Sequence, residues 1–171
     1  MAIITQTPRI IIREFLPEEQ ELFFYLMNDT RINEYLPKRD EQQIRDVFID
    51  TIADYLKGIK LTRWGMFDSL TGDFIGLALL KYVAEEPHWA ELGYVLHLNY
   101  HGKGIATEMA KALLSYGFEQ MGLAEIFAVT NHVNIPSQQV LLKAGLKQGK
   151  HITRGGEELS FFNITNQDYR S

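Results

Sequence analysis

Between residues 89 and 130 the chain passes from a strand, through a turn holding two glycines, into a long amphipathic helix and out into a second strand. Residues 89–96 and 124–130 read as the strands. Ile105, Ala106, Met109, Ala110, Leu113 and Gly117 fall on the buried side of a helix that runs to about Gln120. A strand, a crossover helix and a second strand make a βαβ unit, so the two strands are expected to be parallel neighbours. Whatever else the chain builds must be arranged around that pair.

The remaining segments supply the arrangement. Residues 8–14 are a β-branched run started by Pro8 and read as a first strand. Pro17 opens a helix through about Met27, with Leu22, Phe23 and Leu26 at helical spacing, and a short helical turn over residues 32–36 stops before Pro37. From Asp40 to about Lys57, Ile44, Val47, Phe48, Ile52 and Tyr55 form one face of a helix closed by Gly58. Strands over residues 61–67, 74–83 and 89–96 are separated by Ser69-Leu70-Thr71-Gly72 and by Glu85-Glu86-Pro87, which favours antiparallel hairpins. A helix over residues 135–144 ends at Gly145, and strands over 146–152 and 158–164 follow. The predicted fold is α/β: a single mixed, mostly antiparallel sheet flanked by helices, with one central parallel βαβ unit. With neither repeat nor linker, residues 1–171 are expected to form one domain.

Composition removes several functions. A chain of 171 residues buries roughly 70% of its unfolded surface, so one substantial core is expected. Its apolar runs, residues 10–12 and 77–80, are far too short to cross a bilayer, and residues 1–9 lack the basic start and apolar stretch of an export signal. The expected setting is the cytoplasm, with no membrane partner. Absence of cysteine excludes disulfides, thiolate metal sites and a cysteine nucleophile, so no acyl group rides on a protein thiol. The net charge is -5, and Lys and Arg are scattered rather than striped, which argues against a nucleic-acid footprint and suits a cationic substrate.

Tyr100 to Thr107 reads Tyr-His-Gly-Lys-Gly-Ile-Ala-Thr, between a strand and a long helix. Gly102 and Gly104 let the backbone approach a ligand closely, and the first helical turn leaves N–H groups without partners. A charge-assisted bond to a phosphate oxygen contributes about 1.5–3 kcal/mol and the helix dipole about 0.3–1 kcal/mol, so a diphosphate suits the place. Taken alone, the glycines are equally consistent with a tight turn and nothing more. The third glycine of the dinucleotide fingerprint and the Lys-Ser/Thr pair of the P-loop are both missing.

With those residues in view, nearly the whole chain resembles the GNAT superfamily of N-acetyltransferases, and in particular the branch of ribosomal-protein alanine N-acetyltransferases. That superfamily's cofactor turn runs Gln or Arg, two residues, Gly, one residue, then Gly or Ala; here the positions are His101, Gly104 and Ala106. Asn134-x-x-Ser137 followed by Leu141-Leu142-Lys143-Ala144-Gly145-Leu146 is similar to the family's later motif. Ala90-Glu91-Leu92-Gly93-Tyr94 and the stretch from Asp29 to Pro37 also look like that branch.

The resemblance implies a GNAT-like fold and acetyl-CoA as acyl donor. It also implies a cofactor site made by Val95, Leu96, His101, Gly102, Lys103, Gly104, Ile105, Ala106, Thr107, Asn134 and Ser137. By the same resemblance the Leu96 N–H polarises the thioester carbonyl, Asn134 bonds the pantetheine, and Ser137 gives a proton to the thiolate, since Leu141 stands where many members have Tyr. Asn134 and Pro136 equally suit the start of a helix. Glu91 is the candidate general base, directly or through water, or else a solvated edge carboxylate. His97 and His101 straddle a strand end and a turn with no third ligand evident, so no metal is expected.

The expected acceptor is a primary amine, on a protein N-terminus or a small molecule, shaped by residues 28–58 and the loop at 85–88, where Glu34, Glu85 and Glu86 favour a cation. A non-catalytic acyl-CoA-sensing module and a nucleotide-binding protein stay open as alternatives. Oligomeric state is not legible, and a homodimer stays open with them.

Overall fold

The computed structural model describes residues 1–171. In chain order its elements are β1 (Ile3–Gln6), β2 (Ile10–Arg13), α1 (Gln20–Met27), α2 (Glu41–Leu56), β3 (Arg63–Asp68), β4 (Phe74–Val83) and β5 (Glu86–Leu96). Then come α3 (Ile105–Ser115), β6 (Glu125–Asn131), α4 (Ile135–Ala144), β7 (Lys147–Gln148), β8 (Ile152–Arg154), β9 (Glu157–Thr165) and α5 (Asn166–Arg170). The strands join in the order β1-β2-β3-β4-β5-β6-β9-β7, with β8 also on β9. Every pairing with a resolved register is antiparallel except β5 with β6, which is parallel over Trp89↔Glu125, Ala90↔Ile126 and Glu91↔Phe127. The mixed, mostly antiparallel sheet with one parallel βαβ unit is therefore present as the sequence implies. No helix is long and apolar enough to cross a membrane.

Contacts divide the chain into two compact units, Met1–Leu79 with Tyr94–Ile105, and Leu80–Gly93 with Ala106–Ser171. The first has an aromatic centre. Phe15 meets Phe23, Phe48, Phe67 and Phe74 at centroid distances of 5.5–6.4 Å, and Leu26, Met27, Ile44, Leu77 and Val95 complete the buried cluster. Each such side chain stabilises the fold by about 1.5–3 kcal/mol through burial. Side chains fix the 3-10 turn Pro17–Glu19 that leads into α1 and the start of α2. Glu19 accepts from the Leu16 N–H at 2.8 Å while chelating Arg13. Asp40 accepts from the Gln43 N–H and Gln43 answers to the Asp40 N–H, a reciprocal cap that satisfies two otherwise unpaired donors. In the second unit α3 lays Met109, Ala110, Leu113 and Leu114 into the core and closes with a π-helical turn, Tyr116–Gln120.

Four features differ from those expected. A strand precedes the first predicted one: β1 is paired by β2 alone, with no buried residue to give it a pattern. The turn before β5 is tighter than Glu85-Glu86-Pro87, because Pro87 lies within β5. The strand expected over residues 146–152 is two short ones, β7 and β8, and α5 was not anticipated.

Candidate functional site

In the first unit the end of β5 is shaped by a bulge. The β3–β4 register shifts between Met66 and Phe67, opposite Gly76 and Phe74. A Cβ at Gly76 would collide with the Val95 carbonyl oxygen, so only glycine lets β4 approach β5 this closely. The His97 N–H then donates to the Ile75 carbonyl at 2.8 Å. Val95 and Leu96 are both buried, at 8% and 6% exposure.

A single 3-10 turn, Leu98–Tyr100, carries the chain to His101, whose Nε2 donates to the Leu96 carbonyl at 2.9 Å. That bond fixes the ring as a tautomer protonated at Nε2, or as the cation. His97 is engaged separately, its Nδ1 accepting from the Asn99 N–H at 3.2 Å. The two histidines therefore serve the backbone of the strand end.

The turn itself is open. Gly102 and Gly104 have φ of 71° and 76°, the left-handed region where a side chain is strained. A Cβ at Gly102 would meet nothing within 4 Å, and one at Gly104 would meet only the Arg9 Nη2 at 3.5 Å. Arg9 also donates from Nη1 to the Lys103 carbonyl at 2.8 Å. His101, Gly102, Lys103 and Gly104 are exposed, Ile105 and Ala106 are buried anchors, and Thr107 is half-buried. Exposed backbone thus stands at the start of α3, with a guanidinium against it.

In the second unit Asn134 opens α4, its Oδ1 accepting from the Ser137 N–H at 3.5 Å. Neither the Asn134 Nδ2 nor the Ser137 Oγ is engaged within the protein, and both residues are half-buried. Leu141 is 2% exposed and belongs to the core. Glu91 sits on the last rung of the parallel ladder, while β5 runs on to Leu96 without β6 as partner. Both Glu91 oxygens accept from Arg154, each at 3.1 Å. Arg154 arrives on β8 from 63 positions away.

Residues 9–147 match the family model described as an acetyltransferase (GNAT) domain. The chain belongs to the GNAT acetyltransferases. It is 31% identical over 159 residues to an uncharacterized N-acetyltransferase, YnaD, of Bacillus subtilis (strain 168), covering 88% of this chain and 89% of that one. A GNAT-family acetyltransferase from Bacillus anthracis superposes with a TM-score of 0.80 at 26% identity, covering 98% and 99% of the two chains. The ribosomal-protein-S5-alanine acetyltransferase of Vibrio fischeri gives a TM-score of 0.80 at 16% identity over 98% of each chain, and shares the fold.

For a GNAT acetyltransferase the unanticipated site residues are Arg9 and Arg154. Arg9 lies 94 positions from Lys103, and nothing in its neighbourhood separates it from any basic residue at a strand start. The Glu91–Arg154 pair is likewise long-range, and opposite charges on different strands carry no register in sequence. In this acetyltransferase Asp29, after α1, is a carboxylate held well below its ordinary range. The Arg31 side chain and N–H bond its carboxylate and hold its pKa at about 2.

Proposed function

We propose that this GNAT acetyltransferase moves an acetyl group from acetyl-CoA directly to a primary amine, on a protein N-terminus or a small molecule, and that residues 1–171 work as one such domain. The observation that carries the proposal is the open turn at the start of α3. Two left-handed glycines leave space beside them, and Arg9 stands against the same backbone. Unpaired N–H groups there grip the diphosphate of the donor, each charge-assisted bond contributing about 1.5–3 kcal/mol. His101, Gly102, Lys103, Gly104, Ile105, Ala106 and Thr107 make that grip. The pantetheine runs along Val95 and Leu96, a stretch of β5 that has no partner in β6.

In the reaction the amine nitrogen attacks the thioester carbonyl, the C–N bond forms and the C–S bond breaks. The proton released by nitrogen balances the one taken up by the thiolate, giving an amide and the free thiol of CoA. The Leu96 N–H polarises the carbonyl, a type of donor whose loss raises a barrier by about 2.7–4 kcal/mol. Asn134 offers its free Nδ2 to the pantetheine, and Ser137 gives its hydroxyl proton to the thiolate. Glu91 accepts the proton from the amine, directly or through water, once Arg154 yields one of its oxygens.

The same ion pair favours a second reading, a non-catalytic acyl-CoA sensor in which Arg154 keeps Glu91 occupied. Thiol release from acetyl-CoA over a panel of amines and peptides, with mass spectrometry of the products, separates the two. Turnover with an acetylated amine is expected. Thermal stabilisation by CoA with no turnover on any amine would replace the enzyme by the sensor.

A further inference from the structure

A cavity of about 330 Å³ opens in the first unit, in the segment joining α1 to α2. Its apolar lining is Met27, Leu36, Pro37 and Ile44 and its charged lining is Glu34, Lys38 and Arg39. Met27 and Ile44 belong to the same buried cluster as Val95, with Leu36 packed against it, so the lining is continuous with the support of the β5 end. The neighbouring charges are consumed in pairs, Arg31 by Asp29 and Arg45 by Glu21. Asp40 is consumed as a helix cap. Glu34, Lys38 and Arg39 make neither an ion pair nor a hydrogen bond within the protein. Burial first, and the like charge of Arg39 second, hold the Arg63 guanidinium below its ordinary value, against Asp54 and Asp50. An anion beside Arg39 would relieve that crowding of positive charge.

We infer that this cavity holds the acceptor, and that the acceptor is a small amine carrying a carboxylate or phosphate as its second group. The inference rests on the acetyl-transfer reading and narrows it. A guanidinium offers paired donors to either anion, and Lys38 adds a mobile point charge. Met27, Leu36 and Ile44 take the carbon chain between the two ends. Glu34 draws in the ammonium form in which the acceptor arrives. A volume of about 330 Å³ is that of a small-ligand site.

Matched pairs test the inference: β-alanine against propylamine and phosphoethanolamine against ethanolamine, with spermidine and an alanine-terminated peptide as further arms. Wild-type protein is expected to acetylate the anionic member of a pair at least about tenfold better in kcat/KM, the two pairs showing whether carboxylate or phosphate is preferred. Arg39→Ala should erase that preference, leaving kcat/KM for the member without an anionic group and the KM for acetyl-CoA unchanged. Arg39→Lys should restore it in part. Preference for spermidine or the peptide, or a preference that Arg39→Ala leaves intact, would overturn the inference. Thermal stabilisation by the same pairs reads acceptor binding without chemistry. Binding of the anionic amine that Arg39→Ala abolishes, without turnover, would sink the acetyl-transfer reading and leave the cavity's ligand class standing.

Discussion

On the proposed reading, Arg9 and His101 divide between them the place that the family's turn gives to one residue. The family's turn begins with Gln or Arg, and here His101 spends its ring on the Leu96 carbonyl, while Arg9 reaches in from the start of β2 to hold the Lys103 carbonyl. Arg9→Ala is therefore expected to weaken CoA binding by about tenfold or more, the equivalent of one charge-assisted hydrogen bond. Arg9→Gln keeps a donor for the carbonyl and lacks the charge. Calorimetry on both variants separates the effects, and CoA affinity equal to wild type in Arg9→Ala would remove Arg9 from the site.

Asp29 offers a pH test at the same scale. Its carboxyl is held near 2 instead of 3.8, so its contribution to stability is present above the ordinary value and is lost as pH falls through about 2. An NMR titration should place the wild-type midpoint near 2, and Arg31→Ala should raise it part of the way toward the ordinary value, because the residue-31 N–H still bonds the carboxylate. An unmoved midpoint would show that Arg31 is not the cause.

At the scale of elements, α4 combines two jobs in four residues. Asn134 caps the helix with its carbonyl oxygen and keeps its amide nitrogen uncommitted, while Ser137, whose N–H the cap receives, leaves its hydroxyl free. Asn134→Ala should cost about 0.5–2 kcal/mol of stability through the lost cap, measured by denaturant unfolding, and should raise the KM for acetyl-CoA as well. Ser137→Ala should leave stability and cofactor affinity alone and lower kcat. A wild-type kcat in Ser137→Ala would exclude the hydroxyl as proton donor.

These elements were also the most legible ones. The boundaries of α4 and β4 agree with the sequence reading to the residue, because Asn134 with Pro136 marks one start and glycines or loop residues mark the ends. β1 and α5 escaped for a common reason. Four exposed or half-exposed residues and five residues of helix are too short to show a period, and pairing with β2 and the Thr165 cap supply what pattern does not.

For the whole molecule, sequence carried the sheet through its local grammar: a change of hydrophobic period and a crossover that forces parallel neighbours. It carried the glycine turn for the same reason, since Gly102 and Gly104 write their conformation into the residue type. The Arg9 and Arg154 contacts depend on strands distant in sequence becoming neighbours in a sheet, which no local rule encodes. Side-chain engagement at the site is thus a property of the fold, while the site's location is a property of the segment.

The most direct measurement of the central claim is CoA binding by Gly104→Trp alongside wild type. An indole at residue 104 would fill the open space beside the turn that the diphosphate needs, where a Cβ meets only the Arg9 Nη2 at 3.5 Å. Because residue 104 is exposed, the fold should persist, judged by circular dichroism. Calorimetry is expected to show binding in wild type and none in the folded variant, and undiminished affinity in Gly104→Trp would contradict the account.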